Sequence, residues 1–287
     1  MGVAAPAGPF DETRFKNGLK RLQSLNLATR YSPHIFKRNG FLAGSDQSRA
    51  ETMNNLLADE EIRAVFCARG GYGSMRIMDR VDLNLIESRP KILVGFSDVT
   101  ALLLALHSKT GLVTFHGPVV TSLGQADEET VLHLKNLLFG QKVFPVSLSG
   151  LEIIRSGRGE GPLLGGNLTI LIHLLATPAM PGLNGAVLFL EDIGEPLYRL
   201  DRMLMTLKLS GVLDQCAGLI FGQFKNCGAK DEVYRVIKEN TADFHGPVIA
   251  DFPVGHGARN LTLPLGPRAV LDTFNSSLDL AEPYLAD

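Results

Sequence analysis

The serine of Gly95-Phe96-Ser97-Asp98-Val99 is the first candidate for chemistry in this sequence. An apolar run, residues 92–94, precedes this stretch and a helical run, residues 100–106, follows it, which predicts a sharp strand-to-helix turn. Such a turn exposes the hydroxyl beside the free N–H groups of a helix N-terminus, as in the G-x-S-x-G nucleophile elbow. Because Val99 replaces the second glycine, a simple N-cap at Ser97 or Asp98 stays open as the alternative.

A serine hydroxyl needs a general base, and two of the seven histidines are the candidates. His116 and His256 each follow an apolar run and precede a glycine. His256 also has a glycine before it, and flanking glycines let the backbone bend and leave the imidazole accessible. We expect the other five histidines to be surface residues or structural residues whose polar atoms are satisfied.

A histidine base needs a carboxylate that orients its second ring nitrogen. Glu191 and Asp192 directly follow the apolar run of residues 188–190. Ligands bind at strand C-termini in open α/β sheets, which makes both acids candidates. Successive strand residues point to opposite faces, so we expect only one of the two acids to face the site.

A glycine-rich turn, Arg69-Gly70-Gly71-Tyr72-Gly73, follows another predicted strand, residues 64–68. Its backbone N–H groups can approach a ligand closely, so an oxyanion hole, a phosphate cradle and a plain tight turn all stay open. As a dinucleotide-binding fingerprint the stretch fails, because Arg76 stands where the third glycine belongs.

Four segments together resemble the LD-carboxypeptidase family of serine peptidases. They are residues 68–73, 95–100, 191–202 and 255–257, and a fifth segment, residues 164–168, is similar to the family's inter-domain segment. The resemblance covers nearly the whole chain in the family's order. The family includes muramoyltetrapeptide carboxypeptidases, and microcin-immunity proteins are relatives.

The resemblance implies a Ser-His-Glu triad with Ser97 as nucleophile, His256 as general base and Glu191 as its orienting carboxylate. It also implies an oxyanion hole formed by the backbone N–H groups of Gly71 and Asp98, and it implies no metal and no other cofactor. The implied enzyme is a hydrolase that cleaves the L–D amide bond and releases terminal D-alanine from murein tetrapeptides. The implied setting is cytoplasmic peptidoglycan recycling of the cell wall, with a homodimer as the form of the protein.

A carboxypeptidase must also hold a free carboxylate, and arginine suits bidentate binding of this group. Arg69 and Arg259 lie near the segments described above and are our candidates for substrate binding. A structural ion pair is the alternative for each of them. For Arg202, which is also near, we favour the structural interpretation.

The pattern of predicted elements indicates an α/β fold with two domains. Strands alternate with helices up to about residue 140, which predicts a mostly parallel, doubly wound sheet in residues 1–140, the domain that carries the nucleophile. A linker is predicted at residues 141–160. Residues 161–287 hold more strands per helix and form a predicted strand-richer α/β domain, which carries the histidine and glutamate. We expect the active site at the interface of the two domains.

Composition narrows the class of protein further. The 287 residues are 45% hydrophobic and 20% charged, which is typical of a globular protein with a full core, and the net charge of −2 shows no electrostatic footprint for nucleic acid. No apolar run is long enough to predict a membrane span, and the N-terminus has no signal-peptide pattern. Three cysteines without a C-x-x-C pair fit reduced thiols, so we expect a cytoplasmic protein. As its partner the family resemblance implies a murein peptide substrate, with no nucleic acid and no membrane.

Two other functions remain open at this point. A microcin-immunity type of hydrolase would cleave peptidyl or aminoacyl nucleotides. Relatives of this type are thought to stack an aromatic ring on the nucleobase, and the absence of tryptophan from this chain weakens this alternative. A non-catalytic two-domain binding protein would also hold a ligand between its lobes. The sequence leaves open whether lysine or diaminopimelate is the third residue of a peptide substrate.

Overall fold

The structure is a computed structural model that describes residues 1–285. It contains two β-sheets and the helices that cover them. Within these residues the strands are β1 (Gly2–Ala4), β2 (Arg30–Tyr31), β3 (Ala64–Cys67), β4 (Ile92–Gly95), β5 (Thr114–His116), β6 (Val146–Ser147), β7 (Glu152–Arg155), β8 (Arg158–Asn167), β9 (Val187–Ile193), β10 (Gly218–Lys225), β11 (Val248–Ala250), β12 (Leu263–Leu265), β13 (Arg268–Asp272) and β14 (Ser277–Leu280). The α-helices are α1 (Glu12–Ser24), α2 (Asp46–Ala58), α3 (Leu83–Ser88), α4 (Thr100–Thr110), α5 (Val120–Leu123), α6 (Glu128–Leu138), α7 (Leu168–Leu174), α8 (Leu197–Leu209), α9 (Val212–Gln215) and α10 (Lys230–Asn240). Short 3-10 helices lie at Pro33–Phe36, Ser74–Arg80 and Ser97–Val99.

The first sheet has the spatial order β12-β5-β4-β3-β1-β2. The strands from β1 to β5 pair in parallel, and β12 is antiparallel to β5. Because β1, β3 and β4 are neighbours, the loops that follow them meet at the carboxyl edge of the sheet, where ligands bind in such folds. These loops contain Gly8, the Gly70-Gly71 turn and Ser97.

Helices cover both faces of this sheet. Val65 and Cys67 of β3 belong to the same buried cluster as the apolar sides of α2 and α4, whereas Phe66 joins a second cluster with α1, α5 and α6. The alternation follows from the two-residue period of a strand. The prediction of an α/β fold with a mostly parallel, doubly wound sheet in the N-terminal half is confirmed.

The second sheet has the order β6-β14-β13-β8-β9-β10-β11-β7. Its centre, β8 to β11, is parallel, and antiparallel strands lie on both sides of this centre. This eight-stranded sheet agrees with the predicted strand-richer second half. The strands β6 and β7 and the start of β8 lie in residues 141–160, the predicted linker.

One strand returns from the second half of the chain to the first sheet. Leu263 of β12 pairs with His116 of β5 in an antiparallel register. The chain therefore crosses back to the first sheet only a few residues after His256. The division into residues 1–140 and 161–287 stays a prediction, to which the structure adds this crossing. Within the described residues, no helix has the length and apolar character needed to cross a membrane.

Candidate active site

Ser97 lies at a strained turn directly after β4. Its φ is 64°, a left-handed conformation that costs a non-glycine residue about 1–3 kcal/mol. Val99 packs onto Gly95, because a Cβ built on Gly95 would lie 2.6 Å from the Val99 side chain. Glycine is thus needed before the serine to make room for valine after it, which explains how this elbow dispenses with its second glycine.

Neither Ser97 nor Asp98 caps the helix that follows. The N-cap of α4 is Val99, and no side-chain hydrogen bond caps this helix. The buried Asp98 carboxylate instead accepts a 2.8 Å hydrogen bond from the backbone N–H of Ser74. The capping alternative therefore fails for both residues, and the half-buried Ser97 hydroxyl stays available for other contacts.

His256 and Glu191 form a buried hydrogen-bonded pair. His256 Nδ1 lies 2.6 Å from Glu191 Oε2, and the Glu191 side chain is fully buried in β9. Burial raises the pKa of Glu191 above its ordinary 4.5, while the hydrogen bond with His256 opposes this rise. Since an ionised carboxylate only accepts, this pair puts the neutral imidazole's proton on Nδ1 and leaves Nε2 as an acceptor.

Steric requirements explain the glycines that flank His256. A Cβ on Gly255 would lie 2.6 Å from Glu191 Oε2, the atom that contacts the imidazole, and the Gly255 φ is 116°. A Cβ on Gly257 would overlap the Gln223 side-chain amide. The Gly-His-Gly pattern thus lets this loop lie directly on β9 and β10.

Ser97 and His256 face a common cleft of about 790 Å³. The imidazole packs on the ring of Phe96, the residue before the serine, with 4.7 Å between ring centroids. Among residues 1–285, no hydrogen bond joins Ser97 to His256. Catalytic hydrogen bonds are often long without substrate and tighten when it binds, so a shared cleft is compatible with such a pair.

The Gly70-Gly71 turn lies against the serine. A Cβ on Gly70 would be 2.9 Å from Ser97 Cβ and 3.3 Å from the Asp98 backbone nitrogen, so the approach requires glycine. The Gly70 carbonyl accepts a 3.1 Å hydrogen bond from the Gly8 N–H. In a trans peptide this contact directs the Gly71 N–H away from Gly8. Gly70 thus lies against the serine, and its hydrogen bond fixes the orientation of the Gly71 N–H, one of the two predicted oxyanion donors.

The two predicted substrate-binding arginines differ in their surroundings. Arg69 lines the cleft and donates one of its five N–H groups to the Pro9 carbonyl. Arg259 forms ion pairs with Asp127 and Glu129 of this chain, at 3.1 and 2.7 Å, and lies outside the cleft wall. Arg69 is therefore the better candidate for a substrate carboxylate.

Sequence reasoning missed two further cations of the cleft, Arg14 and Lys225. Arg14 lies on α1 and donates to Gln125 at 3.0 Å, and the exposed Lys225 ends β10. Their positions follow from the sheet topology, so no local motif indicates them. Together with Arg69 they outnumber the acid of the cleft wall, Asp11, and give the cleft a net positive lining that suits an anionic ligand.

The second acid, Asp192, has a structural role. It accepts hydrogen bonds of 2.8–2.9 Å from Asn167 and Thr169, on the side of β9 opposite to His256. Of the two acids, Glu191 contacts His256 and Asp192 does not, as expected for successive residues of a strand. Asn167 also donates its backbone N–H to Thr100 Oγ1 at 3.2 Å, which ties the helix behind Ser97 to the second sheet.

The other candidate base, His116, is fully enclosed. It lies between the rings of Phe96 and Phe189, at centroid distances of 5.9 and 5.0 Å, and neither ring nitrogen has a partner among the described residues. Burial is the main cause that lowers the pKa of His116 to about 3, and the nearby His256 lowers it further. This histidine is neutral at physiological pH and does not line the cleft.

Within residues 1–285, no cluster of three or more potential ligands could hold a metal ion. The three cysteines are buried and unpaired, in agreement with the predicted reduced thiols. Burial raises the pKa of the Cys216 thiol to about 12, so it stays protonated. The cleft wall holds the Ser97 hydroxyl and the His256 imidazole, and this imidazole contacts the buried Glu191 carboxylate behind it.

Two domain models of one known protein family match this chain. Residues 1–117 match the LD-carboxypeptidase N-terminal domain, and residues 160–271 match the LD-carboxypeptidase C-terminal domain. The chain therefore belongs to the LD-carboxypeptidase family, as the resemblance in its motifs predicted.

Individual relatives agree with this assignment. A probable murein peptide carboxypeptidase of Bacillus subtilis is 36% identical over 95% of this chain and 88% of its own length. A murein tetrapeptide carboxypeptidase of Pseudomonas aeruginosa is 33% identical, covering 95% of this chain and 92% of its own. The structure of the microcin C7 self-immunity protein in complex with aspartyl sulfamoyl adenosine superimposes with a TM-score of 0.92, at 27% identity, over 99% of this chain and 96% of that one.

Proposed function

We propose that this protein is a serine LD-carboxypeptidase that releases terminal D-alanine from murein tetrapeptides. The observation that carries the proposal is the Glu191–His256 pair, whose histidine lines the same cleft as the strained Ser97. Membership in the LD-carboxypeptidase family and the names of the two bacterial relatives support the substrate class.

The proposed reaction has two half-reactions. Ser97 Oγ attacks the carbonyl carbon of the L–D amide bond while His256 Nε2 takes the hydroxyl proton, and Glu191 stabilises the resulting imidazolium. His256 then gives the proton to the amine of D-alanine as the C–N bond breaks, which leaves an ester on Ser97. A water molecule, deprotonated by His256, hydrolyses this ester and restores the serine.

The proposed oxyanion donors are the backbone N–H groups of Gly71 and Asp98. Each such donor typically contributes about 3–4 kcal/mol to transition-state stabilisation. Arg69, beside Gly71, is the proposed partner of the D-alanine carboxylate. With Arg14 and Lys225 it matches a peptide that carries several carboxylates.

A microcin-immunity type of hydrolase is the second candidate. The TM-score of 0.92 to a protein bound to aspartyl sulfamoyl adenosine favours it. The positive lining of the cleft also suits a sulfamoyl or phosphoryl group. The two candidates share the acyl-transfer chemistry of Ser97 and differ in the leaving group, which is D-alanine in one and a nucleotide in the other.

The test is turnover of defined substrates by the purified protein. We expect D-alanine release from a murein tetrapeptide and no release from the isomer that ends in L-alanine. Faster cleavage of an aminoacyl-sulfamoyl adenylate would favour the second candidate. No cleavage of either substrate would favour a non-catalytic binding protein. Parallel assays of peptides with lysine and with diaminopimelate at the third position identify the preferred substrate.

The proposed setting is the cytoplasm, and the proposed form is a homodimer. The buried, unpaired cysteines support a reducing compartment. Size-exclusion chromatography with light scattering measures the mass of the particle, for which a homodimer predicts twice the 31.1 kDa of one chain. A particle of 31.1 kDa would exclude the dimer.

A further inference from the structure

The segment of residues 259–262, which follows the His256 loop, binds the helix α6 of the first half at three successive points. Arg259 pairs with the N-cap Asp127 of α6 and with Glu129 in its first turn. The Asn260 backbone N–H donates to Thr130 Oγ1 at 3.0 Å. One turn further along, His133 Nε2 lies 3.0 Å from the Thr262 carbonyl oxygen and donates to it. Thr130 and His133 are three residues apart and therefore share one face of the helix.

Asn260 also binds the loop that carries the histidine. Its side-chain Oδ1 accepts a 2.9 Å hydrogen bond from the Gly255 N–H, directly before His256. The loop closes where the Leu261 N–H donates to the Pro253 carbonyl at 2.8 Å. Asn260 is only 6% exposed, so water competes little for either of its contacts. One residue thus holds α6 with its backbone and the His256 loop with its side chain.

This double contact matters because the two halves of the site come from different sheets. Ser97 follows β4 of the first sheet, whereas Glu191 lies in β9 of the second. The Glu191 hydrogen bond fixes His256 relative to the second sheet, and on the side of the first sheet the imidazole packs on the Phe96 ring. Ring packing is less directional than a hydrogen bond, so a hydrogen-bonded contact with the first half defines the distance between the imidazole and Ser97 more closely. A displacement of about 1 Å can cost 100-fold in rate.

We infer that Asn260 is a positioning residue that sets the distance between His256 and Ser97, through the connected contacts Thr130–Asn260–Gly255. The inference rests on the proposed function, since its readout is the rate of tetrapeptide hydrolysis. Asn260 and Thr130 also belong to the cleft wall, but loss of their contact leaves the cations of the cleft, Arg14, Arg69 and Lys225, in place and displaces the base. The chemical step should therefore suffer more than ground-state binding.

The test measures kcat and KM for D-alanine release by Asn260→Ala. We expect kcat to fall about 10- to 100-fold with KM within threefold of the parent protein. The matched control is Asn240→Ala, which removes an equally buried amide of α10 that bonds Asp201 and Val236 away from the cleft. This control should lose thermal stability and keep its kcat per folded molecule.

A second pair of variants tests the same contact from the other side. Thr130→Val removes the acceptor for the Asn260 N–H, and Thr130→Ser keeps it. We expect Thr130→Val to lower kcat and Thr130→Ser to regain most of the loss. These two Thr130 variants test the proposed positioning role of Asn260 if Asn260→Ala does not fold.

Three outcomes would overturn the inference: a kcat for folded Asn260→Ala within threefold of the parent value, a change confined to KM, or equal rates for the two Thr130 variants. Absence of D-alanine release by the unmodified protein would instead refute the proposed function. In that event, the NMR or crystal structure of Asn260→Ala still tests whether Asn260 positions His256. We expect the imidazole ring to rotate or to become disordered. An unchanged ring position would contradict it.

Discussion

At the scale of the residue, Glu191 is a carboxylate kept in a place that disfavours its charge. It is fully buried and makes one strong contact, with His256, while its second oxygen has no partner among the described residues. Burial raises its pKa above 4.5. The native state therefore binds this proton more tightly than the unfolded chain, so the contribution to stability is full below pH 4.5 and is lost as pH rises through the folded pKa.

Glu191→Gln separates the two consequences of this charge. The amide oxygen can still accept a hydrogen bond from His256, so we expect a free energy of unfolding at pH 7 equal to or above that of the parent protein. Because the imidazolium loses its counter-charge, kcat should fall about 10³- to 10⁴-fold. Urea unfolding at pH 4.5 and 7 measures the first effect, and D-alanine release measures the second. A variant that is less stable at pH 7 by several kcal/mol, or one that stays active, would contradict this interpretation.

Residue types and spacing predicted which side chains meet in this cleft more successfully than they predicted what holds them. The strand-end Glu191 and the glycine-flanked His256 are in contact, as the motifs indicated. Asn260 escaped notice because an asparagine in a loop resembles any other turn residue in one sequence, and Asn167, within residues 164–168, had no predicted contact. Their partners, Thr130 and Thr100, are 130 and 67 positions away, so only the folded chain identifies these contacts.

At the scale of the element, the His256 loop depends on glycine for its approach to β9. In Gly255→Ala the added methyl group would lie 2.6 Å from Glu191 Oε2, at a backbone φ of 116° that alanine rarely adopts. The carboxylate and the imidazole would have to separate. We expect kcat to fall at least about 100-fold, with far-UV circular dichroism unchanged.

Gly182→Ala is the control for this substitution. A Cβ at Gly182 meets no atom within 4 Å, and the residue has no left-handed φ. Its activity should equal that of the parent protein, and its stability should equal or slightly exceed it. Full activity of Gly255→Ala would show that the loop does not need its close approach to Glu191.

The glycine-rich strand β8 shows where element prediction from sequence stops. Residues 157–166 have the composition of a loop, yet Arg158–Asn167 is a strand of the second sheet. A Cβ at Gly159 or Gly161 would overlap backbone atoms of Ala217 or Gly185, so these glycines permit close packing rather than flexibility. Local composition cannot distinguish the two uses, because the neighbouring backbone comes from distant positions.

At the scale of the whole molecule, His116 lies where the two sheets meet. It belongs to β5 of the first sheet and packs on Phe189 of β9 in the second. Its pKa is lowered from an ordinary 6.5 to about 3 by burial. The unfolded chain binds this proton more readily, so the contribution to stability is complete above pH 6.5 and is lost as pH falls towards 3.

His116→Phe tests this pH dependence. Between pH 7 and pH 5 the parent protein should lose about 2 kcal/mol of unfolding free energy through His116, at about 1.4 kcal/mol per pH unit. The phenylalanine variant should lack this part of the loss, whatever its stability at pH 7. Urea denaturation at both pH values measures the difference, and equal losses in the two proteins would refute the assignment.

The α/β class and the doubly wound first sheet could be predicted because strands and helices alternate there with clear apolar periods. The return of β12 to the first sheet could not, since three residues, Leu263–Leu265, carry too little pattern to choose a partner strand. This return matters for function, because it anchors the His256 loop to the half of the protein that carries Ser97.

The central claim is that Ser97 is a nucleophile activated by His256 and Glu191 from the second sheet. The most direct measurement is D-alanine release from a murein tetrapeptide by Ser97→Ala, compared with Ser122→Ala. Ser122 is another serine of the cleft wall, and its hydroxyl donates to the Val119 carbonyl. We predict that Ser97→Ala loses at least about 10⁴-fold in kcat and that Ser122→Ala stays within a few-fold of the parent protein. A Ser97→Ala variant with more than about a tenth of the parent kcat would contradict the claim.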